Sequence, residues 1–412
     1  MWCKFTKNIV FLAVKIEYKL IKHKILYTMK KILLLLVLSL TISYSADAKR
    51  AKQPKVNNII YMIGDGMGLS HVSMMILEGK YAPTTFDAAE NVALIRTNSA
   101  NNRVTDSAAS GTALACGYKT NNSTLGMTPD GEIVESIISK AEKQNFATGL
   151  VVSCYLQHAT PAAFYSHVKS RNESDEITRW FYKSDIDVAF GGGMKYFKRV
   201  IEKDDKDFEK EIANMGYTLH TDLKNVKSAP SEGKVLGIYA EGDLPLARTG
   251  ERDGYLADAT EKALEILTNN VKNQKKQGFV LMVEGSKIDG ESHSRNPQGI
   301  LAEVRDFANA IAAAKKYADA NPGTLVVVCS DHETGGLAIP SNKTDFTLPE
   351  SGIGYAFGTS SHTATLVPVY IYGTGAELIN GVMDNTDLSW KLQEILGVGN
   401  RAAEAAAKEQ KK

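Results

Sequence analysis

Asn58-Ile59-Ile60-Tyr61-Met62-Ile63, followed at once by Gly64-Asp65-Gly66-Met67-Gly68, is the stretch that decides the fold. An unbroken apolar run with no polar alternation reads as a strand covered on both faces, and the glycines mark the turn that ends it. The pattern recurs at 148–153, 279–283, 324–330 and 367–372, where short runs rich in Val, Ile and Leu are followed by polar turns. Helical periodicity falls between them, at 132–144, 257–269, 301–320 and 388–396. Strands alternating with helices predict an α/β fold: a large, mostly parallel sheet with helices on both faces, a three-layer sandwich.

In such sheets, ligands sit beyond the carboxyl ends of the strands. The residues that come after each strand are therefore the ones to read. Asp65 follows the first. His158, Thr160 and Arg171 follow the second. Glu284, Asp289 and His293 follow the third, and Asp331 and His332 the fourth, while His362 precedes the last. Each alone has an ordinary explanation, such as a turn cap, a loop histidine or a solvated charge. Together they gather carboxylates and imidazoles along one edge.

Asp289 and His293 are spaced i,i+4 and share a face if the segment is helical. Asp331-His332 adds another oxygen and nitrogen pair. Mixed His/Asp sets suit zinc, and there are ligands enough for two ions, which can clamp the attacking and leaving oxygens of a phosphoryl displacement. Ser107, in Thr105-Asp106-Ser107-Ala108-Ala109-Ser110, opens an Ala-rich stretch that reads as a helix. Free N–H groups and the dipole at a helix start favour an oxyanion, so Ser107 is a candidate nucleophile as well as a candidate cap. Gly64-x-Gly66-x-Gly68 lacks dinucleotide spacing, and Asp65 within it would repel a pyrophosphate. His71 and His167 fall in expected helices and His220 in a loop, and none of the three receives a role.

Met29-Lys30-Lys31, the apolar run 32–40 and Ala46-Asp47-Ala48 read together as a secretory signal peptide over 29–48, the apolar run being too short to span a membrane. Residues 1–28 then read as an upstream extension of a chain that starts at Met29, and 49–412 as a single catalytic domain. Residues 1–50 hold 10 of the 48 basic and 2 of the 47 acidic residues, which leaves 38 against 45, a net of −7. A mildly acidic protein is a poor nucleic-acid binder. Of the four cysteines, Cys116, Cys154 and Cys329 lie in this domain. Cys154 and Cys329 end strand-like runs and read as buried free thiols. Residues 201–213 read as a solvated helical face and 401–412 as a frayed polar tail.

The segments around Asp65, Ser107, Gln157-His158-Ala159-Thr160-Pro161, Val283-Glu284 through His293, Ser330-Asp331-His332 and His362 run in an order that resembles the alkaline phosphatase family. The resemblance implies that Ser107 becomes a phosphoserine. It implies that Asp289, His293 and His362 hold one zinc, which activates the water, and that Asp65, Asp331 and His332 hold a second, which binds the serine oxygen. Asp65, Thr160 and Glu284 would hold a third ion, usually magnesium. Arg171 falls where the family places the arginine that grips phosphate.

Together with the signal-like segment, the resemblance implies an exported, periplasmic, metal-dependent phosphomonoesterase acting on small phosphate monoesters, and a homodimer. Two positions depart from one well-known form of the family. His158 replaces an Asp, and its nitrogen could favour zinc over magnesium in the third site. Gly290 replaces a Lys. The stretch between His332 and His362 is also short, leaving little room for an insertion that some members use at the dimer interface. The alternatives are a phosphodiesterase or sulfatase of the same superfamily, or a non-catalytic metal or phosphate binder.

Overall fold

The computed structural model describes residues 55–340 and 353–409, together with Glu17, Lys19, 21–24 and 26–33. Among the described residues there are fourteen strands in chain order: β1 (Asn58–Gly64), β2 (Asn91–Arg96), β3 (Ala147–Tyr155), β4 (Val188–Gly192), β5 (Tyr217–His220), β6 (Lys234–Ile238), β7 (Phe279–Gly285), β8 (Thr324–Cys329), β9 (Glu333–Thr334), β10 (Leu337–Ala338), β11 (Ala356–Phe357), β12 (His362–Thr363), β13 (Val367–Gly373) and β14 (Gly381–Asp384). Ten of them form one sheet in the order β14-β2-β13-β8-β1-β7-β3-β4-β6-β5. Every neighbouring pair in it is parallel except those made by β13, which runs against β2 and β8.

β1 shows why the sheet is covered on both sides. Its side chains alternate faces. Ile59, Tyr61 and Ile63 enter one core, shared with Ala108, Leu114, Leu388 and Leu392. Ile60 and Met62 enter the other, shared with Ile300, Val304, Phe307 and Ile311. Each such side chain contributes about 1.5–3 kcal/mol on burial, so a run with no polar position is what a central strand requires. The helices Ser107–Cys116 and Asn385–Leu396 cover the first face, and Tyr255–Asn273 and Pro297–Ala320 the second. The expected three-layer α/β architecture is present.

The five expected strands are in place as β1, β3, β7, β8 and β13, and the last is the antiparallel one. The expected helix at 132–144 is shorter, Ile137–Lys143. Val134 N–H instead donates to Gly126 O at 2.9 Å, and Ser136 Oγ caps the helix by accepting from Ser139 N–H at 3.1 Å. The run 201–213 is not one helical face. It breaks between Met194–Glu202 and Phe208–Asn214, and Phe208 and Ile212 are buried. His167 lies outside any helix and His220 ends β5, not a loop.

The frayed-tail expectation is corrected too, because Arg401–Glu409 is helical. Asn400 Oδ1 accepts from Ala403 N–H at 3.0 Å, and Glu404 is held by Lys140 at 2.6 Å and Tyr118 at 3.3 Å, on an alanine-rich stretch of high helix propensity. The expected cleavage site at 46–48 lies outside the described residues. Among the described residues no helix is long and apolar enough to cross a membrane.

Candidate active site

The site forms where the carboxyl ends of β1, β3, β7 and β8 converge. Asp65 follows β1, Thr160 sits in the short helix Ala159–Ala162 after β3, Glu284 lies in β7, and Asp331-His332 follow β8. The i,i+4 pair reads correctly: Asp289 and His293 occupy the single-turn helix Ile288–His293. His362 arrives from elsewhere in the chain because β12 pairs with β9, setting His362 opposite Thr334. The turn after β1 tolerates only glycine at 66, where φ is +74° and a Cβ would lie 2.7 Å from Thr334 Oγ1 and 3.0 Å from Asp289 Cα. That close approach lets Gly66 N–H donate to Asp331 Oδ1 at 3.1 Å.

Ser107 is the first residue of its helix. Asp106 is the cap, its Oδ1 accepting from Ala109 N–H at 3.0 Å. Capping thus falls to Asp106, and the buried Ser107 hydroxyl points instead at His332 Nε2, 3.3 Å away. Ser110, one turn on, donates to Asp331 O at 2.6 Å and pins the helix to the loop after β8.

Three histidines are fixed in one tautomer. His293 Nδ1–H donates to Ser360 O at 2.7 Å, and His362 Nδ1–H donates to Thr105 O at 2.8 Å, since a carbonyl can only accept. Thr334 Oγ–H donates to Asp289 Oδ1 at 2.5 Å, which leaves its oxygen to accept from His332 Nδ1–H at 3.2 Å. All three Nε2 atoms therefore face inward, the arrangement of metal-ligating imidazoles with their second nitrogen anchored.

Two clusters result. In the first, His293 Nε2 lies 3.2 Å from both Asp289 Oδ2 and His362 Nε2, and His362 Nε2 lies 3.5 Å from Asp289 Oδ1. In the second, His332 Nε2 is 3.5 Å from Asp65 Oδ1 and 3.2 Å from Asp331 Oδ2. The rings of His332 and His362 stack between the two at 3.6 Å. Beside the second cluster, Thr160 Oγ1 lies 3.4 Å from Asp65 Oδ2 and Glu284 is fully buried.

The electrostatics call for cations. Buried Asp65 Oδ1, Asp331 Oδ2 and Glu284 Oε1 have no hydrogen-bond partner. Burial pushes Asp65 well above the usual carboxylate range, helped by the charges of Asp331, Asp289 and Glu284, and it pushes Glu284 up to about 8. Asp289 goes the other way: burial would raise it, but the hydrogen bond from His293 and the neighbouring imidazoles hold it low, while that same hydrogen bond raises His293 to about 9. Crowded carboxylates with free oxygens and lone-pair imidazoles are a donor set for divalent ions, which would take the place of the shared protons. The residues present fit the metals that the sequence implies.

Arg171 is tied to the residue that caps the Ser107 helix. Its Nη1 is 3.3 Å from Asp106 Oδ2, its Nη2 donates to His158 Nε2 at 3.2 Å, and its backbone N–H donates to Ser123 O at 2.7 Å. Every residue singled out on the sequence is thus brought to one edge. Sequence reasoning missed the positioning residues Asp106, Thr334 and His71. His71 Nδ1 accepts from Gly68 N–H at 3.1 Å, so its proton is on Nε2 and goes to Ser292 Oγ at 2.9 Å, which donates in turn to Ile288 O at 2.7 Å. This braces the helix that carries Asp289 and His293. The available signal was its place three residues after the Gly68 turn, where it could reach back to the chain.

Residues 56–351 match the family model described as alkaline phosphatase. Alkaline phosphatase 4 of Bacillus subtilis is 32% identical over 434 residues, covering 86% of this chain and 92% of that protein. The structure of alkaline phosphatase from the Antarctic bacterium TAB5 superposes with a TM-score of 0.75 at 34% identity, covering 84% of this chain and 100% of that one. A variant of the TAB5 enzyme with a histidine changed to aspartate, described with Mg bound in its M3 site, superposes with the same score at 32% identity, covering 85% and 100%.

Proposed function

The chain belongs to the alkaline phosphatase family and is a phosphatase, and from that membership we propose that it hydrolyses small phosphate monoesters through a phosphoserine at Ser107. The observation that carries this is the placement of the Ser107 hydroxyl at a helix start, 3.3 Å from the inward-facing Nε2 of His332, on a helix whose capping residue Asp106 also holds the Arg171 guanidinium at 3.3 Å.

Asp289, His293 and His362 would hold one zinc, and Asp65, Asp331 and His332 a second. Asp65, Thr160 and Glu284 would hold a third ion, magnesium or, because of His158, zinc. When bound, such ions supply Lewis-acid stabilisation of the attacking and leaving oxygens and lower the pKa of water and alcohol ligands. The chain's own residues do the rest. Arg171 presents its fork to two phosphate oxygens and, with the first-turn N–H groups, aligns phosphorus with Ser107 Oγ. Ser107 attacks in line and the alcohol departs. Water then attacks the phosphoserine from the opposite side and releases phosphate. Positioning and charge stabilisation account for the rate.

A grip built for several free anionic oxygens favours monoesters over diesters or sulfate esters. We extend the reading to export and to a homodimer, the first on the signal-like segment at 29–48 and the second on the family resemblance. Elemental analysis of the purified protein beside its aryl monoester-to-diester activity ratio is the test. Bound zinc and a ratio far above one are expected. Faster turnover of the diester would reassign the enzyme, and no turnover with no phosphate on the Ser107 peptide would make it a binder.

A further inference from the structure

Cys154 belongs to the expected class of buried thiols, yet it does not sit in a purely apolar setting. Its Sγ lies 3.5 Å from Glu284 Oε2. The thiol, a nitrogen of His158 and a Glu284 oxygen all lie within 4.8 Å of one another. A further observation points to a ligand there. Glu284 Oε1 is buried and has no hydrogen-bond partner, and His158, whose Nε2 accepts from Arg171, would move its ring proton or turn its ring to ligate. Tetrahedral zinc with Zn–S of about 2.3 Å and Zn–O of about 2.0 Å holds sulfur and oxygen about 3.5 Å apart. The Cys154–Glu284 pair already has that separation.

We propose that Cys154 is a metal ligand, and that with His158 and Glu284 it makes the third ion of this enzyme a thiolate-bound zinc. The inference rests on the reading above that a third ion binds beside Glu284, and it changes the donor set. Asp65, Thr160 and Glu284 offer oxygen alone, which suits magnesium. Cys154 and His158 add sulfur and nitrogen, which select a softer ion. The thiol gives up its proton on binding, so the new sulfur–metal bond replaces an S–H bond and one proton passes to solvent. Cys116 and Cys329 belong to no such group among the described residues.

The test uses the full chain, stripped with chelator and reloaded with Co2+. A cobalt–thiolate charge-transfer band in the near ultraviolet is expected. It should vanish in Cys154→Ser and persist in Cys329→Ser, and zinc-loaded Cys154→Ser should lose about one equivalent of zinc. Loss of the band in His158→Asp as well would place both residues on one ion. A fully cobalt-loaded wild-type protein without the band overturns the proposal, as does a band unchanged in Cys154→Ser, and the wild-type spectrum decides even if a variant fails to fold. Monoester turnover reports separately on the function. An active enzyme without the band refutes only the thiolate ligand, whereas an inactive protein with the band refutes only the phosphatase chemistry.

Discussion

Arg171 Nη1 lies 3.3 Å from Oδ2 of Asp106, the residue whose other oxygen caps the helix that begins with Ser107. One carboxylate therefore fixes both the helix of the proposed nucleophile and the arginine proposed to grip phosphate. Asp106→Asn keeps an amide oxygen for Ala109 N–H but turns an NH2 toward two donors, Ser123 N–H and Arg171, so it should lower stability modestly and weaken competitive inhibition by inorganic phosphate. Asp106→Ala should add the loss of the cap, about 0.5–2 kcal/mol in urea unfolding. Arg171→Ala should weaken phosphate inhibition further while zinc content stays constant. Unchanged phosphate inhibition in all three would remove Arg171 from the grip.

Ser107→Ala should lower monoester turnover by on the order of 10³-fold or more, because it deletes the attacking atom while Asp65, Asp331 and His332 keep their places. Acid quenching after incubation with labelled phosphate should leave the label on the Ser107 peptide of the wild type and none on the variant. Label on another peptide would move the nucleophile.

Gly290 comes directly after Asp289, a proposed ligand, and a Cβ built on it meets nothing within 4 Å. A lysine therefore fits, and replacing glycine within a helical turn should be neutral to stabilising, by up to about 1 kcal/mol. Its ammonium would add positive charge beside the phosphate site. Gly290→Lys should tighten inhibition by phosphate about fivefold, the equivalent of about 1 kcal/mol for one added half-solvated charge. Equal or weaker inhibition would show that residue 290 does not face the bound anion.

What could be read in the chain divides by the range of the interaction that creates it. β1, β3, β7 and β8 were legible because a strand buried on both faces must be apolar throughout, and the residues at their ends followed from the topology. Asp289 and His293 were legible because their spacing is itself the geometry. β2, β4, β5, β6 and β14 were not, since each borrows its order from a neighbour across the sheet. Nor was the true start of the helix at Ile137, which is set by a bond from Val134 to Gly126. His71, Thr334 and Cys154 each meet a partner more than 40 residues away in the chain, Ser292, Asp289 and Glu284 respectively. Local pattern carries no trace of such contacts.

His71 is fully buried, and burial lowers its pKa to about 4. In the unfolded chain it titrates near about 6.5. Between these values the unfolded state binds the extra proton, so the stability contributed by neutral His71 is complete above about 6.5 and is lost as pH falls toward 4. Protonation would also destroy the Nδ1 acceptor that receives Gly68 N–H. The wild type should lose about 2 kcal/mol more than His71→Gln between pH 7 and pH 5, measured by urea unfolding in one buffer series. Parallel slopes for the two proteins would mean that His71 is not held neutral in the fold.

Removal of metal should act on stability and activity together, and the two readouts can be separated. Asp65 Oδ1, Asp331 Oδ2 and Glu284 Oε1 are buried without hydrogen-bond partners, so a chelated protein leaves carboxylates facing one another across a dry site. Excess EDTA should abolish monoester hydrolysis and lower the thermal midpoint, and added zinc should restore both. Each site filled at a hundred times its dissociation constant stabilises the fold by about 2.7 kcal/mol. Ser107→Ala should show the same zinc-dependent rise in midpoint with no recovery of activity, because its ligands are intact and its nucleophile is gone. Full activity in excess chelator, with an unchanged midpoint, would show that these carboxylates do not act through bound cations.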